Sequence, residues 1–137
     1  MTRLFAERSG AGIEREHLVY CAGAAGVVVH GVDHLASDPE WGFWFTAAVV
    51  LSVLTAAIAL IYPWLAPAWR EAAGIPLGLM WAGVAFVHHV VGLLVAGPGP
   101  TDYTGIAAAV GGGLIVVAGV QADRARRASA GLAAPKR

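Results

Sequence analysis

The sequence predicts an all-α integral membrane protein, a four-helix bundle with up-down-up-down topology. Of its 137 residues, 58% are hydrophobic and only 13% are charged. Soluble domains average about 25% charged and about 45–50% apolar residues. Four apolar segments are each close to the roughly 20 residues that a helix needs to cross the hydrocarbon of a bilayer. This composition excludes a large soluble catalytic domain, a nucleotide-binding fold and a DNA-reading module, so we expect a lipid environment and no nucleic-acid partner.

Four transmembrane spans are predicted, and each has its own character. The first is the least hydrophobic because it contains His30, Asp33 and His34. The second has no ionisable group before Tyr62. In the third we expect Pro76 in the first turn, where a missing backbone N–H is best tolerated. The fourth consists mostly of small residues. In chain order the predicted spans are 18–36, 42–62, 75–97 and 104–122.

The segments between and beyond the spans define the organisation of the chain. Residues 37–41 and 98–103 are short and rich in turn formers, so consecutive helices should lie side by side. The longer middle connection contains Trp64 and Trp69, as is typical of a headgroup boundary. The predicted organisation is a cytoplasmic N-terminal segment at 1–17, a membrane domain at 18–122 and a basic cytoplasmic tail at 123–137.

The distribution of charge predicts the orientation. All nine basic residues fall on one side of the predicted membrane: Arg3, Arg8, Arg15, Arg70, Arg124, Arg126, Arg127, Lys136 and Arg137. The other side has four acids and no bases: Asp33, Asp38, Glu40 and Asp102. Because basic loops stay in the cytoplasm, we expect both termini to be cytoplasmic.

Small residues form a recurrent pattern in two of the spans. Helices in lipid associate through close backbone approach, which Gly and Ala permit. We expect these Gly/Ala faces of spans one and four either to pack within the bundle, to mediate self-association or binding of other membrane subunits, or to make room for a flat cofactor. The pairs at this spacing are Ala22/Gly26, Ala107/Gly111, Ala108/Gly112 and Ala109/Gly113.

Ionisable residues inside a membrane are costly and point to a functional site. His30, His88 and His89 are predicted at one depth, roughly 10–13 Å below the outer boundary at about 1.5 Å of rise per residue. His34 follows His30 by one turn and shares its helix face, and Asp33 is placed to orient an imidazole. His88 and His89 point about 100° apart, so only one of them should face the first span.

Three interpretations of this group remain open from the sequence. In the first, His30, His34 and Asp33 bind a transition metal, copper, zinc or iron, together with His88 or His89. In the second, His30 and one of the adjacent pair are the axial ligands of a b-type haem. In the third, the histidines hydrogen-bond across helices or accept protons without any cofactor.

The expected function is a small non-catalytic component of a membrane assembly, respiratory or redox in type, in which the cluster holds the metal or haem. The alternative is a small transporter or channel that uses the His/Asp cluster for proton or cation passage. An independent enzyme is disfavoured because Ser52 has no base at a compatible spacing and Cys21 lies about two and a half turns from His30.

Two stretches carry a resemblance to other sequences. HGVDHLASDPEWGFWF at 30–45 and VVGLLVAGPGP at 90–100 resemble the small, uncharacterised four-span membrane proteins of high-GC bacteria. This resemblance implies a four-span protein that resides in a bacterial cytoplasmic membrane. It implies no activity and assigns a role to no residue.

Overall fold

The computed structural model describes residues 11–37, 42–99 and 101–132, and every regular element within these ranges is helical. The prediction of an all-α protein is therefore confirmed. A 3₁₀ turn at Tyr62–Trp64 follows the second helix, and a π-helical turn at Phe86–Val91 joins the third helix to the fourth. The α-helices are α1 (Ala11–Ser37), α2 (Phe43–Ile61), α3 (Pro67–Ala85), α4 (Gly92–Ala96) and α5 (Asp102–Leu132).

Four helical stretches are long and apolar enough to cross a membrane, as predicted. They are Gly12–Ser37, Phe45–Trp64, Pro67–Ala96 and Asp102–Gly131, with 20 to 30 residues each. The most apolar 18 residues of each stretch have mean hydropathies of 1.3, 2.3, 1.9 and 1.8 in chain order. The first stretch is the least apolar because it contains two histidines and an aspartate. The third stretch combines α3, the π-helical turn and α4 into one continuous path.

The helices extend beyond the predicted spans at the end of the bundle where the arginines lie. α1 begins at Ala11, α3 begins at Pro67 and α5 ends at Leu132. Parts of the predicted segments 1–17 and 123–137 are thus helical, whereas residues 1–10 and 133–137 lie outside the described residues. Hydropathy identifies only the apolar part of a helix, and polar residues prolong it when they find partners.

The placement predicted for Pro76 is wrong. It lies in the interior of α3, and Pro67 is the proline in the first turn of that helix. The first helical position suits proline because its N–H would have no intrahelical partner there. The error arose because the apolar run begins at Ile75, whereas the helix begins eight residues earlier with the segment PAWREAAG.

α5 occupies the centre of the packing. It packs against both α1 and α3, while α2 packs mainly on α1. The buried core includes Tyr20, Val27, Tyr62, Trp81 and Ile115. In the core, the Trp81 indole N–H donates to Thr55 Oγ1 at 3.1 Å, so the polar edge of the largest core ring has a partner.

Two glycines of α5 permit the close approach of its neighbours. Gly111 lies against the backbone of Gly23 in α1, and Gly112 lies against the backbone of Gly78 and Ala82 in α3. A Cβ at either position would overlap a neighbouring main chain. A Cβ at Gly113, in contrast, would meet nothing within 4 Å. Two of the three small-residue faces of this helix therefore pack inside the chain.

Candidate metal centre

Three histidines from two helical stretches come together at one end of the bundle, which we call the histidine end. One ligand atom from each of His30, His34 and His89 lies within 4.8 Å of the others. The ring centroids of His30 and His34, one turn apart on α1, are separated by 4.5 Å. The His89 ring reaches the same position from the other side, with its centroid 4.5 Å from that of His30.

The adjacent histidines at 88 and 89 face different environments. His89 is only 3% exposed and belongs to the cluster, whereas the His88 side chain is exposed. The two rings still lie 4.8 Å apart because the residues are neighbours in the chain. His89 is therefore the member of the pair that meets α1.

The π-helical turn helps to direct His89 towards the cluster. The buried face of the third stretch passes through Arg70, Gly74, Gly78, Trp81 and Ala85 before it reaches His89. In a regular α-helix, with about 100° per residue, the 19 residues from Arg70 to His89 would produce a drift of about 100°. The wider π turn reduces the rotation per residue and counteracts that drift.

A carboxylate sets the tautomer of His89. His89 Nδ1 lies 3.1 Å from Asp102 Oδ1, and an ionised carboxylate only accepts hydrogen bonds. The Nδ1–H must therefore be the donor, which leaves Nε2 with a free lone pair. Asp102 is itself fixed because its Oδ2 accepts from the Gly99 backbone N–H at 2.5 Å. A carboxylate behind a histidine in this way is the usual support of a metal-binding imidazole.

A hydroxyl connects His30 to a second carboxylate. The Thr104 hydroxyl donates to Asp33 Oδ2 at 2.5 Å. The hydroxyl oxygen, Thr104 Oγ1, also lies 3.2 Å from His30 Nδ1. The Thr101 carbonyl is also 3.0 Å from this hydroxyl, but the charged acceptor forms the stronger bond. Since the single hydroxyl hydrogen goes to Asp33, His30 Nδ1–H donates to Thr104. The Nε2 of His30 is then left for a ligand.

Asp33 was expected among the metal ligands, but its carboxylate points to other partners. It faces Thr104, and it also accepts from Ser37 Oγ at 3.1 Å. It is not one of the three residues whose ligand atoms come together. Its carboxylate therefore supports the cluster through a hydroxyl.

The cluster has the dimensions of a site for a single ion. Two imidazole nitrogens that share a tetrahedral ion with bonds of about 2.1 Å are about 3.4 Å apart. The present nitrogens lie within 4.8 Å of one another, so the rings would have to move closer together to share one ion. Three imidazoles suit zinc, copper or iron, and three protein ligands leave one position of a tetrahedral ion open.

The same geometry does not fit a b-type haem. Two axial histidines must lie on opposite faces of a porphyrin, but the rings of His30 and His89 are 4.5 Å apart and edge to face. The His34 ring also lies beside that of His30, with the centroids 4.5 Å apart. Gly26, which was expected to admit the macrocycle, lies against the Ala107 carbonyl of α5. The space between these helices is filled by backbone.

Sequence reasoning missed Thr104 and the role of Asp102. Both lie in the first turn of α5, at the same end of the bundle as the histidines. The sequence did indicate their approximate location, because the short connection 98–103 places the start of the fourth span at the depth at which the third span ends. The partners of these two side chains depended on how α5 packs between α1 and α3, which a single sequence does not specify.

A second polar group lies at the opposite end of the bundle, which we call the arginine end. Arg70 Nη1 donates to both oxygens of Glu16 at 3.1 Å, and the Tyr62 hydroxyl donates to Glu16 Oε1 at 2.9 Å. Arg70 and Glu16 are only 2% and 3% exposed. The His17 Nε2–H donates to the Ala59 carbonyl at 2.9 Å. Arg70 was expected between spans two and three on the basic side of the membrane, and these side chains join α1, α2 and α3 inside the bundle.

Comparisons with protein-family models, with curated proteins and with solved structures gave no match for this chain.

Proposed function

We propose that this protein is a small membrane protein that holds one transition-metal ion, zinc or copper, between His30, His34 and His89. The observation that carries the proposal is the convergence of three ligand atoms within 4.8 Å. The oxygen partners of two of these imidazoles support it, because they fix Nδ1–H as a donor and leave Nε2 for the ion. Copper generally binds such nitrogen sites more tightly than zinc.

The proposal includes an up-down-up-down topology with both termini in the cytoplasm. The contacts of Glu16 with Tyr62 and Arg70 support it, because they join the start of α1 to the end of α2 and the start of α3. Within residues 11–37, 42–99 and 101–132, every arginine lies at the arginine end or beyond it on α5. By the positive-inside rule the histidine end then faces outward. The remaining basic residues, with Asp38 and Glu40, lie outside the described residues.

We further propose that the protein serves as a component of a larger membrane assembly, respiratory or redox in type. A three-histidine ion has one open coordination position, which a side chain of a partner subunit or a small ligand can fill. A Cβ at Gly113 would meet nothing within 4 Å, so this position of α5 has room for a partner. The expected oligomer or complex is measured by native mass spectrometry of protein extracted gently from its membrane, and a strict monomer would contradict this part of the proposal.

The adjacent histidines provide a matched test of the metal site. Purified protein is loaded with Zn²⁺ or Cu²⁺, desalted and analysed for metal per chain. We expect one ion in the wild type, loss of that ion in His30→Ala and His89→Ala, and retention in His88→Ala, whose side chain is exposed. Co²⁺ in place of zinc should give the visible absorption of a tetrahedral site. No bound metal in the wild type, or equal loss in His88→Ala and His89→Ala, would overturn the proposal.

Passage of protons or cations is the second candidate function. It is favoured by the continuous hydrogen-bonded path from Asp33 through Thr104 to His30. Flux is measured in liposomes with a pH-sensitive dye. Transport predicts a flux that is lost in His30→Ala and reduced in Asp33→Ala, whereas a wild type without flux removes this candidate and leaves the metal site standing.

A further inference from the structure

A cavity lies at the arginine end, away from the histidines. It is open to solvent on one side, and its volume is about 630 Å³. It lies between the first turns of α1 and α3 and the C-terminal third of α5. The polar residues that line it are Arg15, Glu16, Arg70, Gln121, Arg124 and Ser129. Three arginines face one glutamate, so the lining favours an anion.

One buried donor in the cavity wall has no partner. Arg70 uses Nη1 to bind Glu16, but its Nε is buried and has no hydrogen-bond partner among the described residues. The whole residue is only 2% exposed. A buried N–H without an acceptor is costly, and a guanidinium edge is suited to two oxygens of one phosphate group. Arg70, which lines the cavity, therefore retains one donor without an acceptor.

The surrounding helices add positive potential to the same space. Gly12 and Ile13 in the first turn of α1, and Pro67 at the start of α3, line the cavity. Helix N-termini carry partial positive charge and N–H groups without intrahelical partners. They are regular sites of phosphate binding. Here the start of α3 adds partial positive charge beside the three arginines, although Pro67 itself has no N–H to donate.

We propose that this cavity binds a phosphate group, with Arg15, Arg70 and Arg124 as its cationic contacts. Trp69, beside Arg70 on α3, is 53% exposed, and such a ring is typical of the headgroup layer. The same chemistry is offered by an anionic phospholipid and by free phosphate. The experiment therefore separates these two sources.

Binding is measured on the full-length protein in a neutral detergent with three probes. They are inorganic phosphate, a short-chain phosphatidylglycerol, and the matched short-chain diacylglycerol without phosphate. We expect saturable binding of the phospholipid and none of the diacylglycerol. Saturation by inorganic phosphate as well would identify the phosphate group alone as sufficient, whereas binding of the phospholipid only would identify a lipid headgroup. Failure of both phosphate probes to saturate the wild type would overturn the proposal.

Two arginines of α5 provide the matched variants. Arg124 lines the cavity, whereas Arg127 pairs with Asp123 and its side chain is 73% exposed. We expect Arg124→Gln to weaken phospholipid binding roughly tenfold or more, because it loses a charge-assisted hydrogen bond, and Arg127→Gln to leave binding unchanged. Equal weakening by both would show attraction by surface charge alone and would overturn the site. Since Arg70 also holds the bundle together, Arg15→Gln is the second cavity variant, with the same expectation.

The histidine variants keep this test separate from the metal proposal. His89→Ala should lose metal and retain phospholipid binding, since the two sites lie at opposite ends of the helices. Simultaneous loss of both in a variant that remains folded would contradict their independence.

Discussion

At the scale of single residues, the cluster depends on oxygen atoms that hold the histidines in one tautomer. His89 is held by Asp102 directly, and His30 is held by Asp33 through Thr104. The histidines themselves could be predicted from sequence because ionisable groups are rare in a membrane span. Their supports could not be predicted, since Asp102 and Thr104 look like ordinary residues at a helix start.

Asp102→Asn should weaken metal binding by about 10–100-fold, the usual cost of removing a carboxylate behind a ligand histidine. The amide carries no charge to raise the basicity of the ring. Affinity is measured by competition with a chromophoric chelator. Asp123→Asn, at the far end of α5, is the control and should match the wild type. An unchanged affinity in Asp102→Asn would show that His89 does not bind the ion through Nε2.

Thr104→Val should also weaken metal binding, because valine preserves the shape of threonine but cannot join His30 to Asp33. Thr104→Ser keeps the hydroxyl and should restore most of the affinity. We expect a loss of about tenfold in the valine variant, measured with the same chelator. Equal affinities in the valine and serine variants would argue against the hydroxyl bridge.

At the scale of elements, apolar length predicted the four membrane-length helices correctly but not where three of them begin or end. α1 and α3 start earlier than their apolar runs because Glu16 and Arg70 pair with each other inside the bundle. A prediction from hydropathy ends a span at each of these charged residues. The choice of His89 over His88 likewise depended on a π-helical turn, for which the sequence FVHHVV offers no signal that we recognise.

Gly105 of α5 has no side chain, and the His89 ring occupies the space next to it. A Cβ at this position would overlap the ring itself. Gly105→Ala should therefore displace the imidazole and reduce metal occupancy while the helix content by circular dichroism is maintained. Gly113→Ala is the matched control on the same helix, because nothing lies within 4 Å of that position. Full occupancy in Gly105→Ala would mean that the ring has another position from which to bind.

At the scale of the whole molecule, polar groups at both ends connect the helices around α5. The buried Glu16–Arg70 pair and Tyr62 connect three elements at the arginine end. Asp102 and Thr104 connect α5 to both histidine-bearing stretches at the other. Between them the helices approach closely through glycines, as expected where no hydrophobic force draws helices together in lipid.

Glu16→Gln should destabilise the fold strongly, by about 3–5 kcal/mol, because it leaves the buried Arg70 charge uncompensated. Replacing both residues, with Glu16→Gln combined with Arg70→Met, should recover much of this loss in the free energy of unfolding. Glu71→Gln breaks only the partly exposed pair with Arg126 and should cost under about 1 kcal/mol. Unfolding in detergent, followed by tryptophan fluorescence, measures all three. Equal effects of Glu16→Gln and Glu71→Gln would contradict a structural role for the buried pair.

The central position of α5 has a consequence for biogenesis. In chain order His30, His34 and His89 all precede α5. Before α5 docks, neither His30 nor His89 has the oxygen partner that α5 supplies through Thr104 and Asp102. The proposed site would therefore be complete only once the last helix has docked, and metal loading would report that step.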